Sequence, residues 1–351
     1  MKLRLAGIVF ATAVVASFAT PRVALSQTTG DFFAGKTISI FVGYTAGSGY
    51  DVYARLLARH YARHIPGQPR VIVQNMPGGG SLTALNHVAQ VAPRDGTALG
   101  AINRSLPLAR LLETSEADAI RYEPFTLNYI GSMSEELAIG FVAAKTGVKT
   151  FDDLRRREVT TGTAAVASDG FVFPNILNSL FGTKIKVILG YTGTDKVFLA
   201  MENGELDGYL GGTLGSLLAG RPTWIRDGYV NVLLQYGVER SPRLPDVPAV
   251  GEWANAEQRD ALALVFAPQR MGRPIVAPPN VPADRIVTLQ KAFDATMLDP
   301  ALVAEAGKMQ AEITPMTGPE IKAFIHKLHQ TPEAALKVAR QALRAPAQDK
   351  K

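Results

Sequence analysis

The chain has 351 residues, of which 47% are hydrophobic and 19% charged, and this composition excludes a disordered tail, a collagen and a disulfide-knotted miniprotein. A chain of this length favours two domains, which usually enclose a cleft between them. The formal net charge of +6 falls to +3 without the first 26 residues, and Lys and Arg form no block, so the charge argues against a nucleic-acid partner.

The first 26 residues have the pattern of a secretory signal peptide. Lys2 and Arg4 precede an uncharged, mostly apolar run at 5–18, and Ala24 and Ser26 are the small residues that a signal peptidase reads. The alternative is a membrane anchor, but such a run spans only about 21 Å as a helix, against a hydrocarbon core of about 30 Å. The chain has no cysteine for a lipid anchor, a thiolate metal site or a nucleophile. We therefore predict export as a soluble mature protein.

Short β-branched runs alternate with helical periodicities from residue 35 onward, which predicts an α/β fold. In the first unit we predict strands at 37–44, 71–74 and 97–103, with helices at 51–65 and 81–91 between them. This order of strands and helices is typical of a doubly wound parallel sheet, in which ligands bind beyond the carboxyl ends of the strands.

A second unit is predicted at 127–242. It contains strands at 137–144, 159–161, 186–190, 206–210 and 230–235, and helices at 170–180 and 195–203. The Pro-rich stretch at 241–250 then predicts an extended crossing segment. It is followed by a predicted strand at 261–267 and by helices at 283–298, 300–307 and 319–343. We therefore predict one lobe at 35–126 and 243–351 and a second lobe at 127–242.

Two Gly-rich loops follow the first two predicted strands, and each of them precedes a helix. The first loop is Ala46, Gly47, Ser48 and Gly49, and the second is Pro77, Gly78, Gly79, Gly80 and Ser81. Glycine lets the backbone approach a ligand closely, and a helix N-terminus carries about half a positive charge. Each loop can therefore bind an anion through its amides, although a tight turn without a ligand is the alternative. Two such loops at neighbouring strand ends favour a carboxylate clamp.

Arg104 directly follows the third predicted strand, so its guanidinium can reach the same edge of the sheet. There it can pair bidentately with a carboxylate, although a surface arginine is the alternative. We expect Arg104 to set a preference for a second negative group on the ligand.

Other chemistries lack their motifs in this sequence. Val52 replaces the third glycine of a dinucleotide fingerprint, and neither loop ends in the Gly-Lys-Ser/Thr of a phosphate loop. Ser48 does not fit a hydrolase nucleophile, because Ala46 and Tyr50 occupy the two positions at which that motif needs glycines. Two histidine pairs have spacings that can share a metal but lack an HExxH carboxylate, and we expect them to lie on solvated helix faces: His60 with His64, and His326 with His329. We predict no catalytic residue, no metal and no cofactor.

Five segments carry a likeness to a known family. They are GYTAGSGYD at 43–51, QNMPGGG at 74–80, GYTG at 190–193, NGELD at 203–207 and RSPRLPDVP at 240–248. In these segments the sequence resembles the extracytoplasmic solute receptors of tripartite tricarboxylate transporters, the Bug or TctC family. The resemblance implies a two-lobed, type II-like periplasmic binding protein that closes on a small organic carboxylate and delivers it to membrane permease subunits.

The resemblance also implies that the two Gly-rich loops hold one carboxylate through backbone amides, whereas Arg104 stands where the family more often has a small polar residue. We predict that the first lobe contributes these loops with Tyr44, Asp51 and Arg104, and that the second lobe contributes the hydroxyl-bearing residues Thr163, Ser168, Tyr191, Thr192 and Thr213. The ligand stays open among monocarboxylates, dicarboxylates, aromatic acids and amino acids. A carboxylate sensor that signals to a partner, and a secreted α/β enzyme that uses the same cleft, are the alternative functions.

Overall fold

The computed structural model describes residues 32–113, 117–166 and 168–344, and it contains two β-sheets with helices packed against them. The predicted signal peptide lies outside the described residues. The strands are β1 (Thr37–Val42), β2 (Arg70–Asn75), β3 (Ala98–Ala101), β4 (Asn128–Ser132), β5 (Ala138–Ala143), β6 (Val159–Thr163), β7 (Ile185–Leu189), β8 (Gly208–Thr213), β9 (Val230–Gln235), β10 (Pro274–Ala277) and β11 (Met316–Thr317).

The two sheets share one pattern of strands. The first has the order β2, β1, β3, β10, β4, β11, and the second has the order β7, β6, β8, β5, β9. In each sheet three parallel strands are followed by one antiparallel strand, β10 or β5, and then by a strand in the original direction. Most strands of each sheet therefore run in one direction, and the predicted two-lobed α/β class is confirmed. We call each sheet with the helices packed on it a lobe.

Helices connect and cover these strands. They are α1 (Gly49–Tyr61), α2 (Leu82–Gln90), α3 (Phe151–Arg156), α4 (Asp169–Phe181), α5 (Thr194–Asn203), α6 (Leu214–Gly220), α7 (Ala256–Phe266), α8 (Ala283–Met297), α9 (Pro300–Lys308), α10 (Gly318–His329) and α11 (Glu333–Leu343). Several begin at a side chain that caps the first turn, because Ser, Thr, Asn and Asp oxygens accept the free amides there. Ser48 caps α1 in this way, and Thr213 caps α6.

The register of the first sheet aligns the ends of its parallel strands. Val42, the last residue of β1, lies opposite Asn75 of β2 and Ala101 of β3. The loops after these three strands therefore leave the sheet at the same edge, as the sequence predicted for the Gly-rich loops and Arg104.

Three elements lie in a different lobe from the one expected. β4 pairs with β10 and β11 in the first sheet, so the chain crosses to the second sheet at 133–137 and not near 127. α7 and α11 were expected in the first lobe, but they pack on α4 in the second, where Leu262 and Leu336 join Ile176 in one buried cluster. α7 and α11 lie in the second lobe because their apolar faces are buried there. The order of elements along the chain does not indicate which lobe buries a helix.

The expected strand at 261–267 is wrong, since these residues lie in helix α7 and the turn after it. Asn255 and Gln258 form a capping box that starts the helix, and the apolar residues after it are buried on more than one face. A short apolar run is compatible with a buried strand and with a buried helix. Here the capping box that precedes the run favours the helix.

The single helix expected at 319–343 is two helices. α10 ends at His329 and α11 begins at Glu333, with Pro332 at the N-cap between them. Proline has no backbone N–H and disfavours a helical residue before it, so the helix ends ahead of Pro332.

The expected solvated face is wrong for His60 and His64, whereas His326 is exposed as expected. His60 is 5% exposed and lies 2.5 Å from the Glu305 carboxylate, and His64 bonds Asp299 at 3.0 Å. These contacts tie α1 and the turn after it to α9 and its N-cap. In the described residues no group of three His, Asp or Glu side chains could hold a metal, and no described helix is long and apolar enough to cross a membrane.

Candidate functional site

A cavity of about 80 Å³ lies between the two lobes, at the carboxyl ends of the parallel strands. Loops that follow β1, β3, β6, β7 and β8 form its wall, together with Arg273 just before β10. The lining residues are Tyr44, Ser48, Gly49, Tyr50, Asn103, Arg104, Thr163, Ala164, Ser168, Asp169, Gly170, Tyr191, Thr192, Gly193, Thr194, Val197, Tyr209, Gly211, Gly212, Thr213, Ser216 and Arg273.

About half of the predicted site residues line this cavity. They are Tyr44, Ser48, Gly49, Arg104, Thr163, Ser168, Tyr191, Thr192 and Thr213. Four of these side chains, at positions 48, 163, 168 and 213, are less than 10% exposed and present hydroxyl groups. Both lobes therefore contribute polar groups to one enclosed space, as expected for a receptor that closes around a small ligand.

The second Gly-rich loop does not line the cavity, and neither do Ala46, Gly47 and Asp51. The loop at 77–81 instead packs behind the end of β1, so closely that a Cβ atom on Gly43 would lie 1.8 Å from the Ser81 Oγ. Ser81 has a φ of 84° and its Oγ accepts a hydrogen bond from the Asn103 amide. The two Gly-rich loops therefore do not line the cavity side by side, as the expected clamp would require. The second loop packs behind the wall and supports it.

Asp51 braces the first loop from inside the lobe. Its buried carboxylate accepts hydrogen bonds from the Gly47 amide at 2.9 Å, the Asn75 side chain at 2.7 Å and the Arg55 Nε at 2.9 Å. Burial acts to raise the pKa of Asp51, but the bonds from Arg55, Gly47 and Asn75 outweigh it and leave the pKa below its ordinary value. A charged carboxylate therefore holds the loop shape that brings Ser48 and Gly49 to the cavity.

Three helices of ten or more residues begin at the cavity. α1 starts at Gly49, α4 at Asp169 and α5 at Thr194, and each of these first residues is part of the lining. The free amides and the dipole of a helix N-terminus attract negative charge. The sequence predicted the start of α1 as an anion site, but it did not predict that α4 and α5 of the other lobe point at the same space.

Arg104 lies in the cavity wall as predicted, but its guanidinium already has an acidic partner. The Arg104 side chain is 2% exposed and donates to Asp169 across the interlobe boundary, and the Ser105 Oγ donates to the same carboxylate at 3.2 Å. Burial acts to lower the pKa of Arg104, but the charge of Asp169 outweighs it, so the guanidinium stays protonated. Asp169 carries a recognisable signal, an acidic residue in the first turn of a helix after Ser168, which the sequence analysis missed.

Arg273 is the second buried cation of the wall, and no sequence signal pointed to it. Its Nη2 lies 2.9 Å from the Glu136 carboxylate, and the exposed fractions of the two side chains are 5% and 3%. The Arg273 guanidinium lies over the Tyr50 and Tyr53 rings, at 4.5 and 5.0 Å from their centroids. Glu136 belongs to the segment between β4 and β5, so this pair lies where the chain crosses between the lobes.

Buried hydrogen-bonding atoms without a partner mark the same cavity. Among the described side chains these atoms are the Nε of Arg104, the Oγ of Ser168 and the Nε of Arg273, and all three residues belong to the lining. Buried polar groups nearly always have a partner, since burying one without a hydrogen bond costs about 1–3 kcal/mol. Three such atoms around one space are what a binding site for a hydrogen-bonding ligand requires.

Comparison with known proteins assigns the chain to a family. Residues 53–337 match the family described as "Tripartite tricarboxylate transporter family receptor". A protein of Cupriavidus necator named "UPF0065 protein in gbd 5'region" is 30% identical over 253 residues, which are 70% of this chain and 72% of that protein.

Two solved structures share the fold. "Structure of periplasmic binding protein BugD" is 18% identical with a TM-score of 0.68 and covers 88% of this chain and 98% of its own. "R. palustris Rpa4515 with adipate" is 17% identical with a TM-score of 0.66 and covers 87% of this chain and 97% of its own. Together with the family match, these likenesses confirm the predicted resemblance: the chain belongs to the Bug or TctC family, the periplasmic solute-binding receptors of tripartite tricarboxylate transporters.

Proposed function

We propose that this receptor captures a small organic carboxylate in the interlobe cavity and delivers it to a tripartite tricarboxylate-type permease. The observation that carries the proposal is the set of unpartnered buried atoms on Arg104, Ser168 and Arg273, which surround one cavity. The free backbone amides at the N-termini of α1 and α5 add hydrogen-bond donors at the same place. The adipate named for the R. palustris neighbour is a carboxylate too, which supports this ligand class.

The capture step is tested by titration calorimetry of the purified protein against mono-, di- and tricarboxylates, aromatic acids and amino acids. We expect one class of carboxylate to bind, and we expect Gly49→Val to abolish that binding. A Cβ on Gly49 would lie 3.0 Å from the Arg273 Nη2 and 3.2 Å from the Ser216 Oγ, so the larger side chain fills the cavity. Gly307→Val is the matched control, because Gly307 in α9 has no atom within 4 Å of its Cβ position. A folded protein that binds no acid would overturn the proposal.

The delivery step is tested in cells. Uptake of the labelled acid that binds in vitro should fall when the receptor gene is deleted, and the wild-type gene but not Gly49→Val should restore it. Unchanged uptake after deletion would instead favour a sensor that binds the acid without feeding a permease.

A further inference from the structure

The charges around the cavity are already balanced by the protein itself. Arg104 is paired with Asp169, and Arg273 is paired with Glu136. Arg104, Asp169 and Arg273 are the charged residues in the described lining, and the rest of the wall consists of hydroxyl groups, an amide, aromatic rings, aliphatic groups and glycine backbone. A ligand that enters this site therefore meets guanidinium groups whose charge is already paired within the protein, while their Nε atoms stay open to a hydrogen bond.

The remaining positive potential comes from helix N-termini. The N-terminus of α4 holds Asp169 in its first turn, so its dipole is already opposed by a carboxylate. α1 and α5 also have an acidic residue in the first turn, Asp51 and Asp195, but neither belongs to the cavity wall, and the Asp51 carboxylate bonds the Gly47 amide, Arg55 and Asn75 inside the first lobe. The free first-turn amides of these two helices, with the unpartnered Nε atoms of Arg104 and Arg273, supply hydrogen-bond donors for one ligand carboxylate.

A second carboxylate would have to lie beside Asp169 or displace it from Arg104. Two carboxylates in a buried site repel each other, and one of them is then driven to bind a proton. Displacement would leave Asp169 as a buried charge without its partner, and breaking a buried pair in this way is strongly unfavourable. The part of the wall near Asp169 therefore discriminates against a second negative charge.

The uncharged part of a ligand finds suitable partners in the same wall. Thr163, Thr213 and Ser216 provide hydroxyl groups, and Tyr191 and Tyr209 provide aromatic rings. A cavity of about 80 Å³ has room for about six water-sized groups, which limits the ligand to a small molecule. A short hydroxy acid fits both the size and the hydrogen-bonding groups.

We propose that Asp169 makes this receptor selective for small hydroxy-monocarboxylates against di- and tricarboxylates, because it occupies the Arg104 guanidinium that would otherwise bind a second carboxylate. This inference rests on the proposed function, in that it assumes a carboxylate ligand in this cavity. It reverses the role that the sequence suggested for Arg104, since Arg104 is engaged within the protein.

The test compares 2-hydroxybutyrate with malate by calorimetry. The two acids share a hydroxy-acid skeleton and differ in that a methyl group of the first is a carboxylate in the second. We expect the wild-type protein to bind 2-hydroxybutyrate at least tenfold more tightly than malate. In Asp169→Asn, Arg104 is released from its ion pair, and we expect that ratio of affinities to fall at least tenfold.

Asp152→Asn is the matched control. Asp152 also lies in the first turn of a helix of the second lobe and pairs with an arginine, Arg155 at 2.7 Å, but it is exposed and is not part of the cavity wall. We expect Asp152→Asn to keep the wild-type ratio. The double variant Arg104→Gln with Asp169→Asn removes both charges, and we expect it to bind 2-hydroxybutyrate better than Arg104→Gln alone, which leaves Asp169 unpaired.

The outcomes separate the two proposals. If malate binds the wild-type protein as tightly as 2-hydroxybutyrate, or if Asp169→Asn leaves the ratio unchanged, the selectivity inference is overturned and the carboxylate receptor stands. If no acid of the panel binds the folded protein, the proposed function is overturned and the inference falls with it. The ratio of the 2-hydroxybutyrate and malate affinities is measured on the wild-type protein alone. The inference can therefore be overturned even if Asp169→Asn does not fold.

Discussion

Ser168 shows at the level of a single residue how this site balances stability against binding. It stands at the N-cap of α4, where a serine usually accepts a backbone hydrogen bond, yet its side chain makes no capping bond. The Oγ is instead buried in the cavity wall without a partner among the described residues. A hydroxyl in this position costs stability in the free protein and gains a partner when a ligand binds.

We therefore predict opposite effects of Ser168→Ala on stability and on binding. The free energy of unfolding should stay unchanged or rise by up to about 1 kcal/mol, because an unsatisfied buried hydroxyl is removed. The affinity for the best carboxylate should fall by about fivefold to tenfold, since one hydrogen bond is worth about 1 kcal/mol. Denaturant unfolding and calorimetry measure the two effects.

Thr150→Ala is the control for this prediction. Thr150 caps α3 with its side chain in a complete capping box, so its loss should lower stability by about 1 kcal/mol and leave ligand affinity unchanged. If Ser168→Ala lowers stability as Thr150→Ala does and leaves affinity intact, Ser168 is a structural residue.

At the level of elements, the last helix joins two distant parts of the chain. Leu336 of α11 is 5% exposed and belongs to the apolar cluster of the second lobe, with Leu262 of α7 and Ile176 of α4. We predict that Leu336→Ala lowers the free energy of unfolding by about 2–4 kcal/mol, as expected for a buried leucine. Val303→Ala, at a half-exposed position of α9, should change it by less than about 1 kcal/mol. Equal effects of the two variants in denaturant unfolding would show that α11 does not pack on the second lobe.

The contact between α1 and α9 predicts a pH dependence of stability. The hydrogen bonds from His60 and Arg59 hold the pKa of Glu305 below its ordinary value of 4.5. A carboxylate whose pKa is lower in the folded state stabilises the fold above its unfolded pKa, and this contribution is lost as the pH falls through the folded pKa. Wild-type protein should therefore be more stable than Glu305→Gln at pH 7, and the difference should vanish as the pH falls below about 4.

Unfolding in urea at a series of pH values measures this dependence. The contribution of Glu305 is reduced by solvent, since its side chain is 34% exposed, so we expect a difference on the order of 1 kcal/mol or less at pH 7. Glu158→Gln is the control, because Glu158 approaches only Lys186 at 4.0 Å and both side chains are largely exposed. A difference between wild type and Glu305→Gln that persists unchanged at pH 3 would contradict the prediction.

For the whole molecule, the contacts across the cavity predict that ligand binding and lobe closure are coupled. The Thr45 Oγ1 of the first lobe donates to the Thr192 carbonyl of the second at 3.1 Å, and Ser105 reaches Asp169 in the same way. A ligand that bonds both walls favours the closed arrangement in which these contacts form.

We predict that a saturating carboxylate makes the protein more stable without making it less compact. At a ligand concentration a hundredfold above Kd the gain in stability should be about 2.7 kcal/mol, and the radius of gyration from X-ray scattering should not increase. Gly49→Val should show neither response to the ligand, since its side chain fills the cavity. A ligand that binds tightly but raises the radius of gyration would contradict closure around it.

Features that depend on neighbours in the chain could be predicted from the amino-acid sequence. Alternating strand and helix periodicities predicted the α/β class, and the glycines of the first loop predicted the turn that leads into α1 at the cavity. The position of Arg104 in the loop after β3 also follows from local order, because a residue that follows a parallel strand lies at the carboxyl edge of the sheet. Such features can be read from sequence because they arise within a few residues.

Contacts between residues that are distant in the chain depend on tertiary packing and could not be predicted. Asp169 forms an ion pair with the guanidinium of Arg104, and Glu136 forms one with Arg273 where the chain crosses between the lobes. The second Gly-rich loop, at 77–81, supports the wall from behind. Helices α7 and α11 pack on the second lobe. Each outcome depends on burial of charge or apolar surface against a partner far along the chain, and the local pattern around a residue does not identify that partner.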